Sequence, residues 1–282
     1  MILYHGSKNI AGILAMILNC EMCIVIAISI YSRKEWRGME DKIIYEVLRV
    51  IDRKPIFLEN HLKRMKNSFN LINEEFSVSY EEISKEIEEL IESENRSEGN
   101  IKITFGVNEK KLRVFFIEHS YPSDEMYMNG VNTILYFGER ENPNAKIIND
   151  TFRERVNKEI KDNNAYEAIL VDSNGHVTEG SRSNVFMVKG NKLLTSPVKA
   201  VLPGVTRGEI IDIANKVGVE VEEVEYKYSD IDKLDGMFIS GTSPKILPIK
   251  TVNSINFNAD NNLIRKLMKE YDDEIEKYIK NH

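Results

Sequence analysis

From Ile43 onward, runs of β-branched and aromatic residues alternate with stretches of helical spacing. Ile43 to Ile51 reads as a strand, and "DRKP" as a turn before Ile56–Leu58, which is a hairpin signal. Leu62, Met65, Phe69 and Ile72 recur at helical spacing within Asn60 to Asn73. Tyr80 to Glu92 is a second helix, with Ile83, Ile87 and Leu90 on its inner face. Strands at Asn100–Val107 and Lys111–Glu118 follow, joined across "NEKK". Residues 119–130, "HSYPSDEMYMNG", are polar and turn-rich and read as a linker. Beyond them the pattern predicts strands at Val131–Phe137, Ala165–Val171, His176–Glu179 and Ser183–Lys189. Further strands are predicted at Lys192–Thr195, Val219–Tyr226 and Met237–Ser240. Helices are predicted at Phe152–Lys161, after "LPGVTR" as far as Gly218, and at Ser229–Leu234. Hairpins dominate and the helices do not alternate regularly with the strands, so the expected class is α+β. No internal repeat interrupts this pattern.

The first residues do not match the rest. Ala11 to Tyr31 is almost wholly apolar, broken by Asn19 and Glu21, and close to the ~20 residues that span a bilayer. Lys8 precedes it, and Arg33, Lys34 and Arg37 follow. One reading is a membrane anchor with its basic flank in the cytoplasm, Glu21 costing a few kcal/mol near mid-span. A signal peptide would need a small-x-small cleavage site, which is not evident. The slightly favoured reading sets residues 1–38 outside the working protein, with Met39 opening "MEDKIIYEV". The expected organisation is this extension (1–38), a small α+β domain (39–120), a linker (121–128) and a larger α+β domain (129–282).

Composition narrows the function. Of 282 residues, 42% are hydrophobic and 29% charged, enough to build a core. The formal charge of −7 and a pI of about 5.5, with no basic stripe, argue against nucleic acid. Cys20 and Cys23 are spaced C-x-x-C; a redox pair is one reading, two small apolar residues in a hydrophobic run the favoured one. No disulfide framework exists, which fits a reducing, cytoplasmic compartment. The five histidines show no ligand spacing, so no metal is expected.

Five features carry candidate chemistry, each with an ordinary alternative. In "LPGVTR", Pro203-Gly204 makes a tight turn and Thr206 stands where a helix N-cap belongs. The unpartnered amides of a first helical turn suit a phosphate, although capped helices are common. "SGTSP", Ser240 to Pro244, places hydroxyls after a strand end, as a phosphate cup or an ordinary turn would. Arg64 lies on an otherwise amphipathic helix; it suits bidentate phosphate binding, or a solvated surface. Lys146 has Ala145, Ile147 and Ile148 as neighbours. Desolvation there would lower its amine pKa, as a Schiff-base nucleophile needs; an edge-strand lysine is the alternative. Glu179 could keep a pyridine nitrogen protonated, or simply face water.

Together these features resemble the class IV pyridoxal-phosphate aminotransferases, a group with branched-chain aminotransferase, D-amino-acid transaminase and aminodeoxychorismate lyase. The resemblance runs from about Ile43 to Ile249. It rests on "YEVLRVIDRKPIFLENHLKRM", "AK-x-x-N" at Lys146–Asn149, "YEAILVDSNGHVTEGSRSNVF", "LPGVTR" and "GTSPKILPI". It implies two α+β domains of fold type IV, mostly antiparallel sheets with helices packed on them. The cofactor pyridoxal 5'-phosphate would lie in the cleft between them, in a homodimer. By the resemblance, Lys146 is the catalytic lysine and covalent anchor, and Glu179 the partner of the ring nitrogen. Arg64, Val205, Thr206, Thr242 and Ser243 form the phosphate cup. Leu202 packs on the ring, Tyr45 lines the substrate side and Asn184 fixes the loop after Glu179. The implied substrates are an amino acid and a 2-oxo acid, handled as a branched-chain aminotransferase would. A lyase on the same scaffold and a degenerate, non-enzymatic cofactor binder are the alternatives. The resemblance also shows departures. The strand Ile101–Val107 lacks the arginine with which D-amino-acid transaminases receive the substrate carboxylate. Lys245 and Leu247 replace the family's Glu and Thr. Tyr45-Glu46-Val47 resembles the transaminases rather than the lyases. Arg182 has no assigned role.

Overall fold

A two-residue reversal joins the first two described strands. Strand β1 (Ile43–Ile51) turns through Asp52 and Arg53, with φ of 51° and 64°, into β2 (Lys54–Pro55). Left-handed dihedrals at both positions match the twist of paired strands. The Arg53 N–H is further bonded to the Ser97 carbonyl at 2.9 Å. These features belong to a computed structural model, which describes residues 42–140, 143–147 and 150–282. The apolar run Ala11–Tyr31, Cys20, Cys23, Met39 and Asn149 lie outside the described residues.

The first sheet has the order β2-β1-β3-β4, antiparallel throughout, with β3 at Gly99–Gly106 and β4 at Lys111–Ile117. Helices α1 (Leu58–Leu71) and α2 (Tyr80–Ser93) cover one face. Strand alternation decides which side chains meet them. Ile101, Ile103 and Phe105 of β3 join the core, while Asn100 and Thr104 stand on the opposite face. Leu62, Met65 and Phe69 of α1 are at most 2% exposed, and each contributes about 1.5–3 kcal/mol by burial. Ser79 caps α2, its Oγ accepting from the Glu82 N–H at 3.0 Å.

The stretch predicted as linker holds a short helix, α3 (Asp124–Asn129). Ser123 starts it by accepting from the Met126 N–H, and Gly130, at φ 73°, ends it. The polar composition that suggested a linker is here that of a capped turn of helix.

The second sheet is built on a parallel pair. Strand β5 (Val131–Phe137) crosses through α4 (Asp150–Asp162) to β6 (Glu167–Val171). Parallel neighbours need such a crossover, and this one carries Arg140 and Lys146. Then come β7 (Val177–Gly180), β8 (Asn184–Lys189), β9 (Lys192–Thr195), α5 (Val205–Lys216) and β10 (Glu220–Glu223). The chain ends with β11 (Gly236–Gly241), β12 (Lys245–Val252), β13 (Ile255–Asn256) and α6 (Asn262–Asn281). The strand order is β10-β9-β8-β11-β12-β5-β6-β7, with β13 beside β12. A further pairing of β7 with β8 closes a ring through β11, β12, β5 and β6. The strand predicted at Val219–Tyr226 is shorter: only Glu220–Glu223 pairs, parallel to β9.

Helix α6 was not predicted, although its pattern is plain. Ile264, Leu267, Tyr271 and Ile275 recur at helical spacing and pack with Ile210, Phe186 and Phe238. Asn261 caps it, accepting from the Leu263 and Ile264 N–H groups at 3.0 and 3.3 Å. Among the described residues no helix is long and apolar enough to cross a membrane.

Candidate active site

Strand β1 presents two chemically different faces. Ile44, Glu46 and Leu48 point among the helices, and Tyr45 and Val47 point into a cavity of about 440 Å³. Glu46, fully buried, is an acid within an otherwise apolar row. It binds Arg64 of α1 with both oxygens, through Nε at 2.8 Å and through Nη2, and also meets His61 Nδ1 at 2.8 Å. Burial pushes the Glu46 carboxyl up, but the Arg64 guanidinium and the hydrogen bonds outweigh it and hold it at about 2. Burial keeps His61 below its ordinary value. Arg64 is thereby aimed at the cavity, with Nη1 against the Pro203 carbonyl at 3.5 Å. Neither Glu46 nor His61 was singled out in the sequence; an acid inside an apolar strand was the available signal.

Lys146 sits in the crossover loop between β5 and α4. Ile147 makes one bridge to Ile44, and the Tyr45 N–H donates to the Lys146 carbonyl at 3.1 Å. The Lys146 N–H donates to Ser68 Oγ of α1 at 3.3 Å. Held from both sides, its amine lies 4.8 Å from the Tyr45 ring centroid. Burial lowers the amine pKa, Arg64 and Arg140 act in the same direction, and Tyr45 and Glu46 oppose them. The Tyr45 phenol is brought down to about 8, first by Lys146 and further by Arg153, against the effect of burial.

The turn after β7 is held by Glu167 of β6, a buried acid that sequence reasoning missed. Its carboxylate accepts from the Ser181 hydroxyl at 2.5 Å, the Ser183 hydroxyl at 3.1 Å and the Arg182 N–H at 3.3 Å. That is where Arg182 finds its structural place: its backbone is tied down and its exposed side chain stands at the cavity rim. Asn184 is buried as expected, but it fixes a different loop. Its Nδ2 donates to the Leu202 carbonyl at 2.9 Å, because pairing across β7 and β8 turns it toward that segment. Glu179 does not line the cavity. It is buried behind the wall, accepting from the Leu202 N–H at 2.9 Å, with Arg140 Nε at 3.5 Å. Burial pushes its carboxyl up, while Arg140, the Leu202 N–H and Lys146 oppose the shift. Lys245 lies elsewhere, paired with Asp272 at 2.7 Å.

The cap of helix α5 lies two residues before the predicted one. Gly204 is the N-cap, in extended conformation and with no side-chain bond, so Thr206 lies within the first turn. The Thr206 hydroxyl is shared with Tyr271 of α6 instead. First-turn amides lack intrahelical acceptors, so those of Val205 and Thr206 are left for another acceptor. Thr242 donates to the Val47 carbonyl at 3.1 Å, and Ser243 accepts from Asn100 Nδ2 at 2.7 Å. Lys146, Tyr45, Arg64, Leu202, Val205, Thr206, Thr242 and Ser243 thus share one cavity.

The family model for amino-transferase class IV matches residues 43–252. The chain belongs to the class IV aminotransferase family. As a member it is an enzyme, and its cofactor is pyridoxal 5'-phosphate. It is 30% identical over 217 residues to a Thermotoga maritima protein named a probable branched-chain-amino-acid aminotransferase, covering 76% of this chain and 78% of that one. It is 26% identical over 223 residues to the D-alanine aminotransferase of Bacillus licheniformis, covering 74% and 78%. The class IV fold is matched by the solved structure of the Escherichia coli branched-chain amino acid aminotransferase. There the TM-score is 0.73 at 21% identity, over 83% of this chain and 89% of that one.

The residues present fit a phosphorylated pyridine aldehyde. A partly buried amine is available to an aldehyde, and free amides with Arg64 to a dianion. The Ser240 hydroxyl, fully buried on the cavity wall, has no hydrogen-bond partner among the described residues. A buried hydroxyl in that position calls for an acceptor or donor from a ligand.

Proposed function

We propose that this class IV aminotransferase takes branched-chain amino acids as donors and a 2-oxo acid as acceptor. The observation that carries this reading is the Lys146 amine. Its backbone is fixed by Tyr45 and Ser68, and its amine stands beside the Tyr45 ring in the cavity that the first turn of α5 also lines. The two sheets serve as two domains, 39–120 and 129–282, with 121–128 between them and the cofactor in their cleft. The working unit is a homodimer in the cytoplasm. The branched-chain preference is supported by the Thermotoga relative and by apolar side chains on the cavity wall, Val47 and Ile117 among them.

When bound, the cofactor supplies an aldehyde that joins amines and a protonated ring that accepts electrons from the substrate's α-carbon. The protein's residues do the rest. Arg64, the Val205 and Thr206 amides, Thr242 and Ser243 bind the phosphate, with Glu46 holding Arg64 in direction. Leu202 would pack against the ring, and Glu179, just behind the cavity wall and bonded to the Leu202 N–H, would hold the ring-nitrogen proton once the ring is seated against that wall. Burial pushes the Glu179 carboxyl up, and a cationic ring beside it would act with Arg140 and Lys146 to hold it charged. Lys146 would hold the cofactor aldehyde, and its amine would move the substrate's α-proton. A lowered pKa keeps a larger share of its amine neutral for that task.

The test is a panel of L- and D-amino acids given to the reconstituted enzyme, with and without a 2-oxo acid. Leucine, isoleucine and valine should turn over fastest, and only with the acceptor present. Product without any 2-oxo acid would point to the lyase alternative. Faster turnover of other amino acids would remove the branched-chain assignment.

A further inference from the structure

The cations around Lys146 are not equivalent. Arg64 has Nε and Nη2 committed to Glu46. Arg140 is shared between Glu179, 3.5 Å away, and the Pro143 carbonyl at 2.8 Å. Arg153, in the first turn of α4, makes no ion pair with a carboxylate among the described residues. Its Nη2 donates to the neutral Tyr45 hydroxyl at 3.1 Å. Arg153 lines both the main cavity and a recess of about 20 Å³ beside it, which Tyr45, Arg140 and Lys146 also line. The helix that carries it is seated by Val156 and Ile160 against Ala168, so the guanidinium is presented from a packed element.

We propose that Arg153, with the Tyr45 hydroxyl beside it, receives the substrate's α-carboxylate. The inference rests on the aminotransferase reading and adds a specificity-determining residue to it. The carboxylate is bonded to the same carbon whose proton Lys146 moves. When that carbon is within reach of the amine, the carboxylate lies within a few ångströms of it. Tyr45 is 4.8 Å from the Lys146 amine by its ring centroid, and Arg153 is hydrogen-bonded to the tip of that ring. A guanidinium offers a planar fork of donors that matches a carboxylate, and the phenol O–H adds another. Lys102 of β3, its amine 5.2 Å from the same ring, raises the positive potential there. Arg182 stands exposed at the rim, and its described bond is a backbone one.

The test compares Arg153→Gln and Arg153→Lys with the parent holoenzyme. Kinetics are measured with leucine and with 3-methylbutan-1-amine, which has leucine's side chain without the carboxylate. In parallel, 4-methylpentanoate, a carboxylate that cannot react, is titrated and followed by the near-ultraviolet absorbance of the bound cofactor. Arg153→Gln should raise the leucine KM by about 10- to 100-fold, with kcat falling much less, as loss of a charge-assisted pair implies. It should weaken 4-methylpentanoate by a similar factor and leave the amine within about twofold, while Arg153→Lys recovers part of the loss. Equal losses for leucine and the amine would reduce Arg153 to a support for Tyr45, and unchanged 4-methylpentanoate binding would overturn the proposal outright. The carboxylate titration needs no turnover, so it reads the Arg153 contact separately from the transamination chemistry.

Discussion

Glu46 grips Arg64 with both carboxylate oxygens, from a strand position whose neighbours on the same face are Ile44 and Leu48. A fully buried acid in an apolar row is stable only because a guanidinium meets it, and that guanidinium then has one direction to point. The pair belongs to the core and to the cavity at once.

Removing the acid therefore should cost both stability and cofactor. Glu46→Gln leaves the Arg64 charge without its partner in a site 9% exposed, at a cost of about 3–5 kcal/mol. Urea unfolding should show a lower midpoint with an unchanged slope. Spectral titration should show weaker pyridoxal phosphate binding. A variant of parental stability would contradict the buried-pair assignment.

The same pair sets the acid limit of the fold. Glu46 titrates at about 2 when folded, against an ordinary 4.5. Its carboxyl binds fewer protons in the folded state, so its contribution is full above the ordinary value and is lost as pH falls toward about 2. His61, lowered by burial, acts in the same direction from its ordinary 6.5 downward. Stability measured from pH 7 downward should decline in these windows, and Glu46→Gln should flatten the lower one.

Two glycines four residues apart should respond in opposite ways. A Cβ on Gly204 would lie 2.1 Å from Asn184 Oδ1, whose amide is already bonded to Leu202. Gly204→Ala should cost about 1–3 kcal/mol and loosen the phosphate end of the cavity. A Cβ on Gly208, exposed in the same helix, would meet nothing within 4 Å. Gly208→Ala should stabilise the protein by about 0.5–1 kcal/mol. Thermal unfolding of the two variants checks both.

The Tyr45 phenol reports on its neighbours. Without cofactor it should ionise near pH 8, and the Lys146 ammonium is the largest cause of that shift. Lys146→Met should move the ionisation upward toward the ordinary value of 10.0. Absorbance at about 295 nm, compared with Tyr45→Phe to isolate this residue, measures it. An ionisation that ignores Lys146 would place the two groups apart.

The α+β class and most elements were legible because their signals are local. The Ile83–Ile87 spacing, the apolar alternation of β3 and the turn at Asp52-Arg53 each need only a few neighbours in sequence. The covalent lysine, the arginine of the phosphate end and the loop before α5 came through the resemblance of whole motifs. The supporting residues did not, because their meaning is tertiary. Glu46 looks like any strand acid until α1 brings His61 and Arg64 over it. Glu167 ties a turn fourteen to sixteen residues away, and Arg153 matters only because α4 lays it on Tyr45. Thr206 was misplaced as a cap for the same reason: Tyr271, from the far end of the chain, takes its hydroxyl.

The most direct test concerns Lys146 itself. The protein is loaded with pyridoxal phosphate, reduced with borohydride, digested, and mapped by mass spectrometry. A pyridoxyl-phosphate group on Lys146 alone, absent in Lys146→Ala, is the predicted result. The same group on another lysine, or its persistence in Lys146→Ala, would contradict the assignment of this cavity as the catalytic site.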